Sequence, residues 1–403
     1  MFILSKKRII LGVTGSIAAY KAADLASKLT QAGAQVEVIL TSAAEKFITP
    51  LTFQSVTGRR AYIDSDLWGN EAHVLHVGLG HAADLIIIAP CTANTIAKLT
   101  HGQADTLLTV TALAAQCPLV IAPAMDGGMF DHPAMQENVE ILKTRGTVII
   151  GPVEGHLASG LSGKGRLLEP AEIIGHARLV LGRNGALAGK KVVITAGGTQ
   201  EPLDPVRVLT NRSSGKQGYA LAQAALDAGA QVSLITTPVS LIPPVGAKVI
   251  QVETSKQMLN AVLEESKESD ALIMAAAVAD FRPKNKAKNK IKKETGIPQI
   301  ELEATEDILK AVAGKRSEVK RPRIVVGFAA ESQDLLQNAA NKLESKGLDL
   351  IAANDISASD AGFAVETNRV TLLFADGRRE SLPLTSKTET AELILKRVAI
   401  LLE

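Results

Sequence analysis

A tandem of two doubly wound α/β domains is the fold class this sequence predicts, on three observations. Short β-branched runs, Arg8 to Val13 and Val192 to Thr195, each stop at a glycine-containing turn rich in hydroxyls. The segment Ala32-Gly33-Ala34-Gln35-Val36 recurs as Ala228-Gly229-Ala230-Gln231-Val232, each time leading from a helix into the second strand of a sheet. The chain has 403 residues, 46% of them hydrophobic, which supplies two cores of ordinary size and excludes a disordered chain. Strands alternating with helices in this way build parallel sheets covered on both faces, a Rossmann-like plan.

In the first half, strand Arg8 to Val13 passes through Thr14-Gly15-Ser16-Ile17 into a helix, Ala18 to Ala32. Its N-terminus faces the carboxyl edge of the sheet, where open parallel sheets bind cofactors. A second strand, Gln35 to Leu40, ends in Thr41-Ser42-Ala43-Ala44, and a third, Leu85 to Ala89, ends in Pro90-Cys91-Thr92-Ala93-Asn94-Thr95. Gly15, Ser16, Ile17, Thr41, Thr92, Ala93 and Asn94 thus bring hydroxyls, an amide and free N–H groups together with few cations. That set suits a neutral ring system with one phosphate, flavin mononucleotide (FMN) rather than a nucleoside triphosphate. The dinucleotide fingerprint G-x-G-x-x-G is missing, because Gly12-Val13-Thr14-Gly15 has the wrong spacing, and this argues against NAD. Thr147 to Ile150 reads as a strand flanking a Gly- and Ser-rich flap, Gly155 to Arg166, expected to close over substrate as a lid.

A helix ends at Ala177 to Leu181, and the small residues from Gly182 to Gly189 mark the join. The expected domains are residues 1–182 and 190–403, with 183–189 as linker.

In the second half, Ala196-Gly197-Gly198-Thr199 makes a sharp turn that accepts a negatively charged ligand. After a Pro-rich excursion, Glu201 to Pro205, comes Asn211-Arg212-Ser213-Ser214-Gly215-Lys216 before an Ala-rich helix, Tyr219 to Ala228. Free N–H groups at that helix start, two hydroxyls and two cations suit phosphate oxygens. A buried strand, Ala271 to Ala275, runs on through Ala276 and Ala277 to Asp280; small residues admit a base and ribose, and Asp280 can accept from a sugar hydroxyl or base amine. Lys284, Lys286, Lys288, Lys290, Lys292 and Lys293 read as a solvated, mobile loop. Thr305-Glu306-Asp307-Ile308 reads as a helix start with acids in its first turn. Val325 to Glu331 is a strand end in which Phe328 either packs on a base or belongs to the core. Lys342 and Lys346 share one helix face, ahead of a strand from Leu348 to Ala352 that leads to Asn354-Asp355. Asn368 to Phe374 and Ser381 to Leu384 form a hairpin around Asp376-Gly377, and a terminal helix starts at Thr388.

Lys+Arg 44 against Asp+Glu 42 leaves a net charge of +2, no global field for nucleic acid or an anionic membrane. The opening MFILSKKR is too short for a secretory signal, and no run approaches the roughly 18 apolar residues of a membrane span, so a cytoplasmic protein is expected. Cys91 and Cys117 have no metal-ligand spacing and are expected to be buried thiols.

TAGGTQEPLDPVR, from Thr195 to Arg207, followed by NRSSGKQG, from Asn211 to Gly218, resembles the ligase half of bacterial bifunctional phosphopantothenoylcysteine decarboxylase/phosphopantothenate–cysteine ligases. Gly15 to Lys21, Ala89 to Asn94, His76-Val77-Gly78-Leu79-Gly80 and Pro123-Ala124-Met125 resemble flavoprotein decarboxylases acting on C-terminal cysteine, which form trimers with flavin between subunits. For the first half this implies oxidation at the carbon bearing sulfur, loss of carbon dioxide and return of the electrons, with His76 as base. His73 and His81 lie near it in sequence.

Two positions depart from the family pattern: Asp126 stands where Pro-x-Met-Asn has its amide, and Ala158-Ser159-Gly160 where the flap has Ala-Cys-Gly. Asp126 could donate to the substrate carboxylate only when protonated, and a serine hydroxyl is a far weaker acid than a thiol of pKa roughly 8.5. In one joint reading, burial and the substrate carboxylate keep Asp126 protonated, as donor and proton source in place of Ser159. In the other, the two changes are variation around a working pocket.

For the second half the resemblance implies joining 4′-phosphopantothenate to cysteine with CTP and magnesium, through an acyl-cytidylate. Asn211 would orient substrate for activation and Lys290 would stabilise the intermediate during cysteine attack. The nucleotide would lie against Ala275, Ala276, Ala277, Asp280, Thr305, Glu306, Asp307, Ile308, Phe328, Lys342 and Lys346, with Lys290 reaching it as well. The assembly implied is flavoprotein trimers joined by ligase dimers. Two other readings stay open: a ligase on an inactive flavin-holding scaffold, and a non-catalytic flavin and nucleotide sensor.

Overall fold

The structure, a computed structural model, describes residues 3–68, 74–157, 160, 162–292, 299–331, 334–355 and 367–403. It divides into two compact units, Met1–Leu181 and Gly182–Glu403.

The first unit runs β1 (Arg8–Val13), α1 (Ala19–Gln31), β2 (Gln35–Leu40), α2 (Pro50–Thr57), β3 (Ala61–Ile63), α3 (Leu75–Ala82), β4 (Leu85–Cys91), α4 (Ala93–His101), α5 (Leu107–Ala114), β5 (Leu119–Pro123), α6 (Gly127–Phe130), α7 (Pro133–Thr144), β6 (Val148–Ile149), β7 (Val153–His156), β8 (Ser162–Arg166) and α8 (Pro170–Gly182). Strands β3-β2-β1-β4-β5-β6 form one sheet in that order, all parallel. Strand β4 is buried at every position, so it reads as a continuous apolar run without alternation. Helix α1 shows the opposite pattern, burying Ala19, Ala22, Leu25, Ala26 and Leu29 on one stripe. Separate clusters lie on the two faces of the sheet, one around Leu11, Leu25, Phe53 and Ile87, the other around Ile10, Ile86, Ile88 and Leu108. Each fully buried Ile or Leu contributes about 1.5–3 kcal/mol.

The second unit runs β9 (Lys191–Ala196), β10 (Gln200–Pro202), β11 (Val208–Thr210), α9 (Lys216–Asp227), β12 (Gln231–Thr236), β13 (Lys248–Gln251), α10 (Ser255–Ser266), β14 (Ala271–Met274), β15 (Phe281–Pro283), β16 (Leu302–Ala304), α11 (Ile308–Val319), β17 (Ile324–Glu331), α12 (Leu335–Ser345), β18 (Leu350–Asp355), β19 (Thr367–Asn368), β20 (Val370–Phe374), β21 (Arg379–Ser381), β22 (Thr385–Ser386) and α13 (Lys387–Leu402). Its sheet, β13-β12-β9-β14-β17-β18-β20-β21, repeats the parallel order of the first unit and adds an antiparallel pair, β20 and β21. The doubly wound expectation holds for both halves.

Several local readings change. Strand β3 precedes the strand read as third; three residues are too few to display a period. The segment 183–189 is not a free linker: Leu187 is fully buried and its N–H donates to the Ala228 carbonyl at 2.8 Å. The Pro-rich excursion and the basic run belong to two antiparallel hairpins, β10–β11 and β15–β16. Cys91 is buried as expected, and Cys117 only half so. Among the described residues no helix is long and apolar enough to cross a membrane.

One device recurs at the amino ends of the strands. The N–H of Asp84 donates to Arg8 O at 2.8 Å while its Oδ2 accepts the Arg8 N–H at 2.8 Å. Asp270 does the same to Lys191 (2.8 and 2.9 Å), and Asp349 to Val325 (3.0 and 2.7 Å). Each carboxylate satisfies an N–H in the first two residues of a neighbouring strand. Burial pushes the Asp270 carboxyl up, but the Lys191 N–H and the Arg321 guanidinium more than offset it and leave the pKa below the usual range. A depressed carboxyl pKa stabilises the fold above the unfolded value of about 3.9, and that contribution is lost as pH falls through the folded value. Asp270→Asn should therefore cost about 1.5–3 kcal/mol near neutral pH. The gap to the parent protein should close in acid, as read by urea unfolding across that range.

Candidate active sites

In each unit the strand order reverses beside the first strand, and the crevice at that switch point is stitched by a buried threonine. The Thr14 hydroxyl donates to Pro90 O at 2.7 Å and accepts the Thr92 N–H at 3.0 Å, tying the end of β1 to that of β4. In the second unit Thr195 Oγ1 accepts from Ala276 N–H at 3.0 Å, and Thr199 Oγ1 from Ala279 N–H at 2.9 Å.

Beyond Thr14 opens a cavity of about 460 Å³ lined by Gly15, Ser16, Thr41, Thr92, Ala93 and Asn94 together with Ser42, Asp64, Thr95, Lys98, Thr106, Thr109 and Met125. Most of the residues read from sequence as a flavin site thus meet in one place. Ile17 does not line it; it faces the neighbouring cavity. Thr92 caps α4, and the hydroxyls of Thr106 and Thr109 close a capping box on α5, so two helix N-termini open at the cavity. Hydroxyls, one ammonium and an apolar wall fit a flavin ring system with a single phosphate.

Asp64 escaped the sequence reading, yet it joins two walls of this cavity. Its Oδ2 accepts from Ser42 N–H (2.9 Å) and Ser42 Oγ (2.6 Å), while Oδ1 accepts the Leu107 N–H at the start of α5 (3.2 Å). Lys98, also missed, is held by both carboxylate oxygens of Asp105 at 2.9 and 2.7 Å. Neither belongs to a motif; the capping pattern Thr106-x-x-Thr109 was the only local sign.

A second cavity, about 400 Å³, shares Ser16, Ala124 and Met125 with the first and is walled by Ile17, Tyr20, Lys21, Asp126, His156 and Arg166. The flap read from sequence is the β7–β8 hairpin, and its base is fixed: the Met125 N–H donates to Gly165 O at 3.1 Å. A Cβ on Gly165 would stand 2.1 Å from the Met125 carbonyl oxygen, so only glycine permits that approach. Asp126 Oδ1 accepts the Gly128 N–H at 3.0 Å as the cap of α6. This oxygen acts as an acceptor, so in the joint reading with Ser159 the donor to substrate would be the other oxygen, Oδ2. Ser159 and Ala158 lie outside the described residues, as do His73 and Lys293. His76 sits half-buried in the first turn of α3 and lines neither cavity.

In the second unit a cavity of about 400 Å³ opens at the carboxyl ends of β14 and β17. Ala275, Ala276, Ala277, Asp280, Thr305, Glu306, Asp307, Ile308, Phe328, Lys342 and Lys346 all line it. Asp307 caps α11 through the Lys310 N–H (3.1 Å) and pairs with Lys346. The Lys342 ammonium donates to Phe328 O at 2.8 Å. The hydroxyl of Thr305 donates to Ala279 O at 2.6 Å. Asn211 and Lys290 do not line the cavity, but the Asn211 amide donates to Ala277 O (3.3 Å) and Val278 O (3.2 Å) in its wall. Beside that wall the Gly197–Thr199 turn faces the N-terminus of α9, where the buried Thr237 Oγ1 has no hydrogen-bond partner among the described residues. Among the described residues no group of three or more His, Cys, Asp or Glu is placed to hold a metal.

Residues 3–178 match the family model Flavoprotein, and residues 187–401 match the DNA/pantothenate metabolism flavoprotein C-terminal domain. The chain is similar to the Coenzyme A biosynthesis bifunctional protein CoaBC of Bacillus subtilis, 48% identical over 401 residues, 99% of this chain and 98% of that one. To the protein of the same name in Vibrio cholerae it is 44% identical over 394 residues, 97% of this chain and 98% of that one. A crystal structure of the C-terminal domain of a CoaBC protein is 41% identical, covers 54% of this chain and 98% of that chain, and has a TM-score of 0.46.

Proposed function

The chain belongs to the family of bifunctional coenzyme A biosynthesis proteins, with ligase and decarboxylase activities on one polypeptide, and from that premise we propose how its two units divide the work. The second unit joins 4′-phosphopantothenate to cysteine with CTP. The first converts the product, 4′-phosphopantothenoylcysteine, to 4′-phosphopantetheine with FMN, in the cytoplasm. What carries this reading is that the loops read as flavin-binding and those read as nucleotide-binding each converge on one cavity in their own unit.

For ligation, the pantothenate carboxylate attacks the α-phosphorus of CTP and pyrophosphate leaves; the cysteine amine then attacks the acyl carbon, loses a proton and releases CMP. Lys342 and Lys346 face the triphosphate, Lys346 exchanging Asp307 for phosphate, while the small residues Ala275 to Ala277 admit the cytidine. Magnesium would come with the triphosphate and offset its charge. The substrate phosphate sits against the Gly197–Thr199 turn and the start of α9, where the orphaned Thr237 hydroxyl supports an anion site. Asn211, anchored to the cavity wall, orients the carboxylate, and Lys290 stabilises the acyl-cytidylate during cysteine attack.

For decarboxylation, bound FMN supplies a two-electron acceptor and donor. The hydroxyls of Ser16, Thr41 and Thr92 with Lys98 would hold it, and the adjoining cavity under the β7–β8 hairpin would take the cysteinyl end of the substrate. His76 removes the proton at sulfur. Since it lines neither cavity of its own chain, trimers would bring α3 of one copy to the cavity of the next, and ligase dimers would join the trimers. Exposed Trp68 (87%), Val74 (58%) and Leu113 (65%) around α3 and α5 support such a covered surface.

The test supplies purified protein with CTP, 4′-phosphopantothenate and cysteine and follows pyrophosphate, carbon dioxide and product mass. One pyrophosphate and one carbon dioxide for each 4′-phosphopantetheine is expected. CTP turnover that ignores phosphopantothenate would overturn the ligase assignment, and a product two hydrogens lighter would show that electron return fails at the Asp126/Ser159 site.

A further inference from the structure

The tip of the β10–β11 hairpin contains a buried carboxylate that none of the chemistry above uses. Asp204 is 1% exposed although it lies in a turn. Its Oδ1 accepts the N–H groups of Val206 (2.8 Å) and Arg207 (2.9 Å), which closes the turn. Its Oδ2 accepts the N–H of Ile291 at 3.1 Å, from a segment 87 residues away. The Arg207 guanidinium grips the other side of that residue, donating to Ile291 O at 2.7 Å, and the Ala287 N–H donates to Leu203 O at 3.0 Å. The segment read from sequence as a mobile basic loop is therefore fastened at Ala287 and Ile291, and the exposed Lys290 stands between the two fastenings. At its other end Thr210 Oγ1 donates to Thr199 O at 2.8 Å, and the Thr199 N–H donates to the O of Ala277, in the nucleotide cavity wall, at 3.2 Å.

We propose that Asp204 is a positioning residue for ligation, locking the tip of β10–β11 to the Lys290 segment so that this ammonium is presented at a fixed place when cysteine attacks the acyl-cytidylate. The inference rests on the reading of Lys290 given above. A carboxylate is required because both oxygens are used, one for the turn and one for the distant segment. An asparagine can serve one side only, since its NH₂ would meet an N–H donor on the other. The Val206 N–H above all, with those of Ile291 and Arg207, outweighs burial and holds the Asp204 carboxyl below its usual range, so both oxygens accept at neutral pH. Because Lys290 does not line the nucleotide cavity, formation of the acyl-cytidylate does not depend on this lock.

Asp204→Asn in the full chain tests it. Cysteine capture of the acyl-cytidylate should fall about tenfold to a hundredfold, the range for a lost charge-assisted hydrogen bond. Pyrophosphate release without cysteine and the KM for CTP should stay within about twofold, because only the later step loses an interaction. Amide exchange at Ile291 should accelerate. Lys290→Gln is run in parallel: if it leaves cysteine capture intact, the assigned role of Lys290 fails. If it slows capture while Asp204→Asn does not, or if Ile291 exchange is unchanged, the positioning role of Asp204 is wrong. Equal loss of both half-reactions in Asp204→Asn would overturn it too, as a sign of general damage to the unit.

Discussion

His76→Asn protein is expected to keep its FMN and its ligase activity while releasing carbon dioxide about 100-fold to 10,000-fold more slowly, the range that a positioned acid–base group supplies. The flavin should stay because His76 lines neither cavity of the first unit, and the walls that would hold it come from β1, β2, β4 and the caps of α4 and α5. Ligation should be unaffected because its residues lie in the second unit. Flavin absorbance after gel filtration, carbon dioxide release and CTP turnover on one preparation separate the possibilities. Loss of flavin together with activity would make His76 a structural residue of α3. An unchanged rate would remove it from the chemistry, and with it the reason for placing α3 of one copy at the cavity of another.

Gly197→Ala should slow ligation about 30-fold to 1,000-fold and leave decarboxylation of supplied 4′-phosphopantothenoylcysteine intact. Gly197 has φ +85, and a Cβ there would stand 2.1 Å from Thr237 Oγ1 and 3.3 Å from Val239 Cγ1. The conformation costs about 1–3 kcal/mol for a residue with a side chain, and overpacking adds about 1–3 kcal/mol. The turn can escape only by moving, yet the Ala277 N–H donates to Gly197 O at 2.8 Å, so moving it shifts the wall of the nucleotide cavity. Two to four kcal/mol of misplacement corresponds to roughly 30-fold to 1,000-fold in rate. Adding Thr237→Ala removes the collision but not the strained φ, and part of the ligation rate should return. Full activity in Gly197→Ala would show that the turn does not shape the site.

The loops that end strands were legible because the features that make them are local. A β-branched run, a glycine and a hydroxyl before a helix occupy adjacent positions, so Gly15, Ser16, Thr41, Thr92 and Asn94 could be read from the chain, and they converge on one cavity. The lining of the nucleotide cavity, from Ala275 to Lys346, was read partly by the same logic and partly by resemblance to a family. The short strand β3 was not legible, because three residues show no period, and neither was the pairing of β10 with β11 or β15 with β16, because each strand is only three residues long and β11, β15 and β16 have no buried residue.

By itself, then, the sequence determined the two doubly wound sheets and which turns could receive an anion. Burial of continuous apolar strands between helices, and the turn chemistry at their ends, are properties of neighbouring residues. Only the tertiary structure decided what holds those turns in place. Asp64 reaches Leu107 across 43 positions, Asp270 reaches Lys191 across 79, and Asp204 reaches Ile291 across 87. In each case the partner is a backbone N–H, which every residue except proline offers, so nothing in the partner's identity announces the bond. The tertiary structure also set His76 apart from both cavities of its own chain, because which helix closes a crevice depends on packing between elements and not on the residues of either one.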